Sequence, residues 1–267
     1  MKSNKHELVV PSIEVINRYF NRPDLPLGAP KSEGVSLGAV QHWPDSIVSK
    51  YPHTINNTSE APDAVAVYRR ILNSQPDNSV TIVTVGFLTN LRNLLNSRAD
   101  SISNLSGEEL ISKKVKLLVS MAGAFPSGRE FNIFQDSTAS KEVYEKWPGK
   151  VIFTGFEIGV NIRTGLRLMN SDIKNSPVKD VFSISIPFSE EDKNGRCSWD
   201  ETAVLIGVYG TEGFFDTVTG KIIVNEDGSN TWQDDPNGKQ VYVKQKMPVT
   251  DMEHFIEDRM MHQPVIK

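Results

Sequence analysis

The sequence predicts an α/β fold: an open, mostly parallel, Rossmann-like sheet flanked by helices. Two observations carry this reading. Short apolar segments rich in Val, Ile and Thr recur at residues 79–87 (SVTIVTVGF), 114–121 (KVKLLVSM) and 150–156 (KVIFTGF). Amphipathic helical segments stand between them, and strand–helix–strand units imply parallel crossovers. Composition bounds the class further. The 267 residues are 38% hydrophobic and 23% charged, and no apolar run reaches the length of a membrane span. The net charge of −4 argues against a nucleic-acid partner or an anionic membrane surface, either of which needs a basic face. A single cysteine, Cys197, excludes a disulfide framework and a Cys-based zinc site.

The elements follow in order. Residues 12–20 read as a helix with Ile13, Ile16 and Phe20 on one apolar face, and no strand precedes it. Residues 21–59 are rich in turn formers, and a loop of this length points to function or mobility. A helix over 61–72 starts at Pro62 and turns Val65, Tyr68, Ile71 and Leu72 inward. The strand at 79–87 is expected to be buried on both faces. A helix over 89–96 carries the stripe Leu88, Leu91, Leu94 and Leu95, with Thr89 or Asn90 as its cap. Asp136 is placed to cap a helix over 137–147. Binding loops of such sheets lie at the strands' carboxyl ends, which singles out residues 85–87, 121–132 and 155–157.

The C-terminal third is more mixed. Residues 181–186 (VFSISI) alternate like a strand, whereas 197–210 and 252–261 read as helices. Residues 221–224 and 240–244 flank Asn225-Glu226-Asp227-Gly228, whose Asp-Gly pair predicts a small C-terminal β-hairpin appendage. The chain is expected to form one domain over residues 1–267.

Chemistry is best placed in the loop after residue 121 (MAGAFPSGREFNIFQD). Glu130, Asn132 and Asp136 would suit sugar hydroxyls, each of which needs a donor and an acceptor. A plainer reading has Glu130 solvated, Asn132 satisfying a turn and Asp136 capping a helix. Ser198-Trp199-Asp200-Glu201 matches a capping box, with Asp200 favoured by the helix dipole; the functional alternative is a hard-cation ligand at Asp200. From spacing alone the cap is the better account. Gly34-Val35-Ser36-Leu37-Gly38 matches a nucleophile elbow, but no strand leads into it, so an esterase reading on Ser36 is set aside as chance. The histidines His6, His42, His53, His254 and His262 show no metal spacing, and no phosphate-cradling glycine loop is present.

Together these segments resemble the inosine/uridine-preferring nucleoside hydrolase family. The resemblance runs through Ile16-Asn17-Arg18-Tyr19, Pro23-Asp24-Leu25-Pro26-Leu27-Gly28 and Val85-Gly86-Phe87-Leu88-Thr89-Asn90-Leu91. It continues through Met121-Ala122-Gly123, Glu130-Phe131-Asn132-Ile133, Asp136, and Ser198 to Leu205. It implies hydrolysis of the N-glycosidic bond of ribonucleosides, with Ca²⁺ as cofactor and a nucleoside or ribose as small-molecule partner. Asp200 and the carbonyl of Val85 would be metal ligands. Met121, Glu130, Asn132 and Trp199 would bind substrate, with Trp199 where the family often has a histidine. The resemblance also implies a helix, not a strand, over 181–186.

The family's N-terminal strand and Asp-x-Asp-x-x-x-Asp-Asp loop have no counterpart, so the general-base aspartate and most calcium carboxylates are missing. No catalytic residue is therefore assigned. The chain is expected to be N-terminally incomplete, to bind Ca²⁺ weakly and to hydrolyse nucleosides very slowly or not at all. The rival is a non-catalytic nucleoside- or carbohydrate-binding homologue. Homo-oligomer formation is left open. The chain as written would stay in the cytoplasm, and a lost N-terminal export signal would send it outside.

Overall fold

A computed structural model describes residue 1 and residues 3–264. Nine strands lie among the described residues: β1 (Val80–Thr84), β2 (Val115–Met121), β3 (Ser127–Gly128), β4 (Val151–Thr154), β5 (Arg163–Thr164), β6 (Arg196–Cys197), β7 (Phe215–Val224), β8 (Asn230–Asp234) and β9 (Gln240–Gln245). Seven of them form one sheet in the order β1-β2-β4-β9-β7-β8-β3, while β5 and β6 pair separately. The pairs β1–β2, β2–β4 and β4–β9 are parallel, and β9–β7, β7–β8 and β8–β3 are antiparallel. In the parallel half Thr84 sits opposite Ser120 and Met121 opposite Thr154, so these strands end on one side of the sheet.

Two expectations are corrected here. The turn at Asp227-Gly228 exists, and Gly228 takes the positive φ of 77° that favours glycine there. The hairpin it closes is β7–β8, and its strands continue the main sheet instead of standing apart as an appendage. Strand β1 was expected to be buried on both faces, yet it forms the sheet's edge, and only Ile82 within it is fully buried. A run of Val, Ile and Thr suits a central strand and a half-covered edge strand alike.

Successive residues of a strand face opposite sides, and β2 shows it directly. Leu118 enters one core with Leu91, Leu94, Tyr144 and Phe153, whereas Val119 enters the other with Ile152, Ala203, Ile206 and Met252. Helices Thr89–Leu95, Gly107–Lys114 and Ser137–Lys146 supply side chains to the first core, and Trp199–Tyr209 and Val249–Met260 to the second. Gly207 lets helix Trp199–Tyr209 approach β1, since a Cβ there would meet the Val83 side chain at 2.6 Å. No described helix is long and apolar enough to cross a membrane.

The first helix spans Val9–Tyr19 and buries Val10 and Val15, with Ile13 and Ile16 only half covered. Its orientation is set by buried Glu14, which accepts from the Thr54 and Ile55 backbone N–H groups and from Arg18 Nε at 2.7 Å. Helix Ala64–Ser74 begins after Asp63, whose Oδ1 accepts from Ala66 N at 2.9 Å. Residues 181–186 fall mostly within helix Pro177–Ser185, as the family resemblance implied, with Ser176 as side-chain cap and Pro177 at the first helical position.

Two cap assignments fail. Neither Thr89 nor Asn90 caps helix Thr89–Leu95; Leu88 holds that position and the Thr89 hydroxyl donates to Asp136. Ser198 precedes helix Trp199–Tyr209 without a side-chain cap bond, because its hydroxyl pairs with Thr164 Oγ1 at 2.6 Å in a fully buried contact. A tertiary partner has replaced the local one. Asp136 does cap helix Ser137–Lys146, its Oδ1 accepting from Ala139 N at 3.4 Å.

Candidate functional site

The carboxyl end of β1 opens into a cleft of about 620 Å³. Val85, Gly86 and Phe87 leave the strand into it, and Asn132, Asp200, His6 and Trp43 reach it from four other segments. A smaller pocket of about 230 Å³ lies beside it, lined by Trp43, Phe182, Arg196, Trp199, Asp200 and Glu201. Trp43 and Asp200 border both spaces.

Of the residues named from sequence, Val85, Asn132 and Asp200 line the larger cleft, and Trp199 and Asp200 the smaller pocket. Met121 and Glu130 line neither. Met121 is buried, and it meets the site through Asn132, whose Nδ2 donates to the Met121 carbonyl oxygen at 3.0 Å. Glu130 is 3% exposed and caps helix Phe131–Gln135: Oε1 accepts from Asn132 N at 2.8 Å, and Oε2 from Gly123 N at 3.1 Å and Ile133 N at 3.2 Å. Burial raises the Glu130 pKa above the ordinary carboxylate value, against the pull of those three N–H donors. Both oxygens are committed to backbone, so Glu130 shapes the turn that presents Asn132.

Residues that sequence reasoning did not bring to the cleft include His6, Trp43, Tyr68 and Asn90. Asn90 is 2% exposed, and neither its amide nitrogen nor its amide oxygen has a hydrogen-bond partner among the described residues. Buried amides are rarely left so, and Asn90 lies where a polar group in the cleft can reach it. Burial raises Tyr68 to about 12, so its phenol stays protonated at neutral pH. A second unsatisfied oxygen, Glu157 Oε1, lies past the end of β4, and burial raises that carboxyl's pKa as well. Ser36 lies in an irregular exposed segment with neither strand nor helix beside it, as expected for a chance motif.

The residues present do not fit a tightly held Ca²⁺. Among the described residues no group of three His, Cys, Asp or Glu side chains is placed to hold a metal ion. Asp200 is the one carboxylate among the described residues that line the larger cleft. Calcium takes six to eight oxygens, and its affinity depends on the number of carboxylates among them.

The chain matches the inosine-uridine preferring nucleoside hydrolase family over residues 24–254. No curated protein sequence matches it. Its fold is similar to that of a plant nucleoside hydrolase, the PpNRh1 enzyme, with a TM-score of 0.66, 18% identity, and coverage of 94% of this chain and 86% of that one. The inosine-uridine preferring nucleoside hydrolase of Bacillus anthracis aligns with a TM-score of 0.59 and 15% identity, over 86% of this chain and 78% of that one. The type III effector protein XopQ, in a complex with adenosine diphosphate ribose, aligns with a TM-score of 0.61 and 12% identity, over 92% of this chain and 78% of that one. With a family match across most of its length and a parallel strand, β1, whose carboxyl end opens on a cleft, the chain belongs to the inosine-uridine preferring nucleoside hydrolases, glycosidases that cleave nucleosides at the N-ribosyl bond.

Proposed function

We propose that this chain binds a ribonucleoside with its sugar in the larger cleft, and that it cleaves the N-glycosidic bond very slowly or not at all. The observation that carries the proposal is the count of acids: Asp200 is the one carboxylate among the described residues lining the cleft. Cleavage through an oxocarbenium-like state needs a base for the attacking water and negative charge beside the sugar. One exposed aspartate can serve one of those needs at a time. Asn132 supports sugar binding, since its amide nitrogen is tied to Met121 and its oxygen is left to accept from a hydroxyl. Trp199 has no dissociable proton for a leaving base, and its indole N–H is already donated to the Phe156 carbonyl.

Calorimetric titration with inosine, uridine and ribose tests the binding half. Saturable binding that is lost in Asn132→Ala supports it, whereas no heat from any of the three would end it. A second reading, a purely nucleoside- or carbohydrate-binding homologue, draws on the same shortage of carboxylates. It gains if binding survives calcium chelation and no ribose is released.

A further inference from the structure

Strand β1 ends the sheet: β2 pairs with it on one side, and no strand among the described residues pairs with it on the other. Natural edges are blunted by charge, proline or a bulge. Residues 78–86 hold neither a charged residue nor a proline, and the register irregularity of β1 sits at its first step, between Val80 and Thr81. The larger cleft meets this edge. Val83, Thr84 and Val85 line it from β1, and Val9, Ile13 and Tyr68 line it from helices Val9–Tyr19 and Ala64–Ser74.

Size, apolarity and one polar group define what suits the space beside β1. A residue in a sheet takes up roughly 160 Å³, from a rise of about 3.3 Å and spacings of about 4.8 and 10 Å. The cleft of about 620 Å³ therefore matches roughly four residues of strand. Ile82 belongs to the first core and Val83 packs against the second, so a strand laid beside β1 would extend both faces and be apolar on both. Val204 and Val208, 48% and 68% exposed, continue the helical row that starts at Asp200 in the cleft. Gly207, next to Val208, packs on Val83, which puts these two valines on the face such a strand would cover. The polar group is Asn90, whose buried carboxamide has neither its donor nor its acceptor paired. A carboxamide carries the same donor and acceptor pair as a peptide group, and so complements one.

We propose that the larger cleft accepts a β-strand: an extended, uncharged apolar segment of another polypeptide pairs with the open edge of β1, while Asn90 bonds one of its peptide groups. The backbone ladder supplies affinity in this mode of recognition, and the apolar walls select the side chains. The proposal does not rest on the nucleoside reading, and the two are separable by experiment.

The test titrates the intact chain into a fluorescein-labelled peptide with a valine and isoleucine core and lysines beyond both ends, read by anisotropy. A matched peptide with prolines at alternate core positions cannot form the ladder and serves as the comparison. Saturable binding is expected, at least tenfold weaker for the proline peptide, with slowed amide hydrogen exchange at residues 80–84. Asn90→Ala removes a group that has no partner among the described residues, so the variant should fold, and it should bind the peptide about fivefold more weakly. No binding by the unsubstituted chain overturns the proposal without recourse to any variant. Equal binding of the two peptides overturns it as well, as does unchanged exchange at residues 80–84 or unchanged affinity in a folded Asn90→Ala. Peptide binding without nucleoside binding upholds it while the nucleoside reading fails, and nucleoside binding without peptide binding does the reverse.

Discussion

Asn132 donates Nδ2 to the carbonyl oxygen of Met121 at 3.0 Å and approaches the Met121 sulfur at 3.2 Å, so the end of β2 sets the orientation of the carboxamide. The strand fixes the donor side of that group and leaves the acceptor side to the cleft. Asn132→Asp keeps an acceptor but loses the donor to Met121. It should cost about 1 kcal/mol of folding stability, read by urea denaturation, and weaken nucleoside binding, read by calorimetry.

Glu130 should behave as a structural acid. Glu130→Gln replaces one of the two buried oxygens that accept from three backbone N–H groups with a donor and should destabilise the chain by about 1–3 kcal/mol. Burial raises the folded-state pKa, so the native state holds this proton more tightly than the unfolded chain does. The stability this contributes is complete below the ordinary carboxylate value of 4.5 and is lost as pH rises through the higher folded value. The stability gap between the unsubstituted chain and Glu130→Gln should therefore narrow from pH 4 to pH 7 in denaturation series.

Glu14 should show the opposite sign. Burial pushes its pKa up, but hydrogen bonds from Thr54, Ile55 and Arg18 outweigh burial and hold it at about 2. Its stabilising contribution is present above 4.5, the ordinary value, and is lost as pH falls toward 2. Glu14→Gln should cost roughly 3 kcal/mol at neutral pH and flatten the acid limb of the stability profile.

Metal removal should matter little. With Asp200 the one carboxylate lining the larger cleft among the described residues, a calcium chelator should leave the thermal midpoint and nucleoside affinity unchanged. A midpoint that rises by several degrees on adding millimolar calcium would contradict this, because a ligand bound to the native state stabilises it by mass action.

The parallel half of the sheet was legible because β1, β2 and β4 are apolar runs bounded by turns, and helix Trp199–Tyr209 because its apolar residues are dense. What escaped sequence reasoning depends on distant partners. Ser198 has the spacing of a cap, yet buried Thr164 takes its hydroxyl. Thr89 likewise turns to Asp136, 47 residues away. Residues 181–186 alternate with period two, but most of them are only half-buried in a helix started by Ser176 and Pro177, so the alternation tracks no sheet face. Asn132 and Asp200 were visible as polar residues at the ends of elements. His6, Trp43 and Asn90 carry no local pattern that would place them in the same cleft, and only the tertiary fold brings them together.

Ribose release from inosine and uridine, followed over hours at excess calcium with and without Asp200→Ala, bears most directly on the central claim that the described acids are too few for efficient catalysis. Rates near the uncatalysed background are expected for both forms of the chain. Multiple turnovers per minute in the unsubstituted chain, abolished by Asp200→Ala, would contradict it.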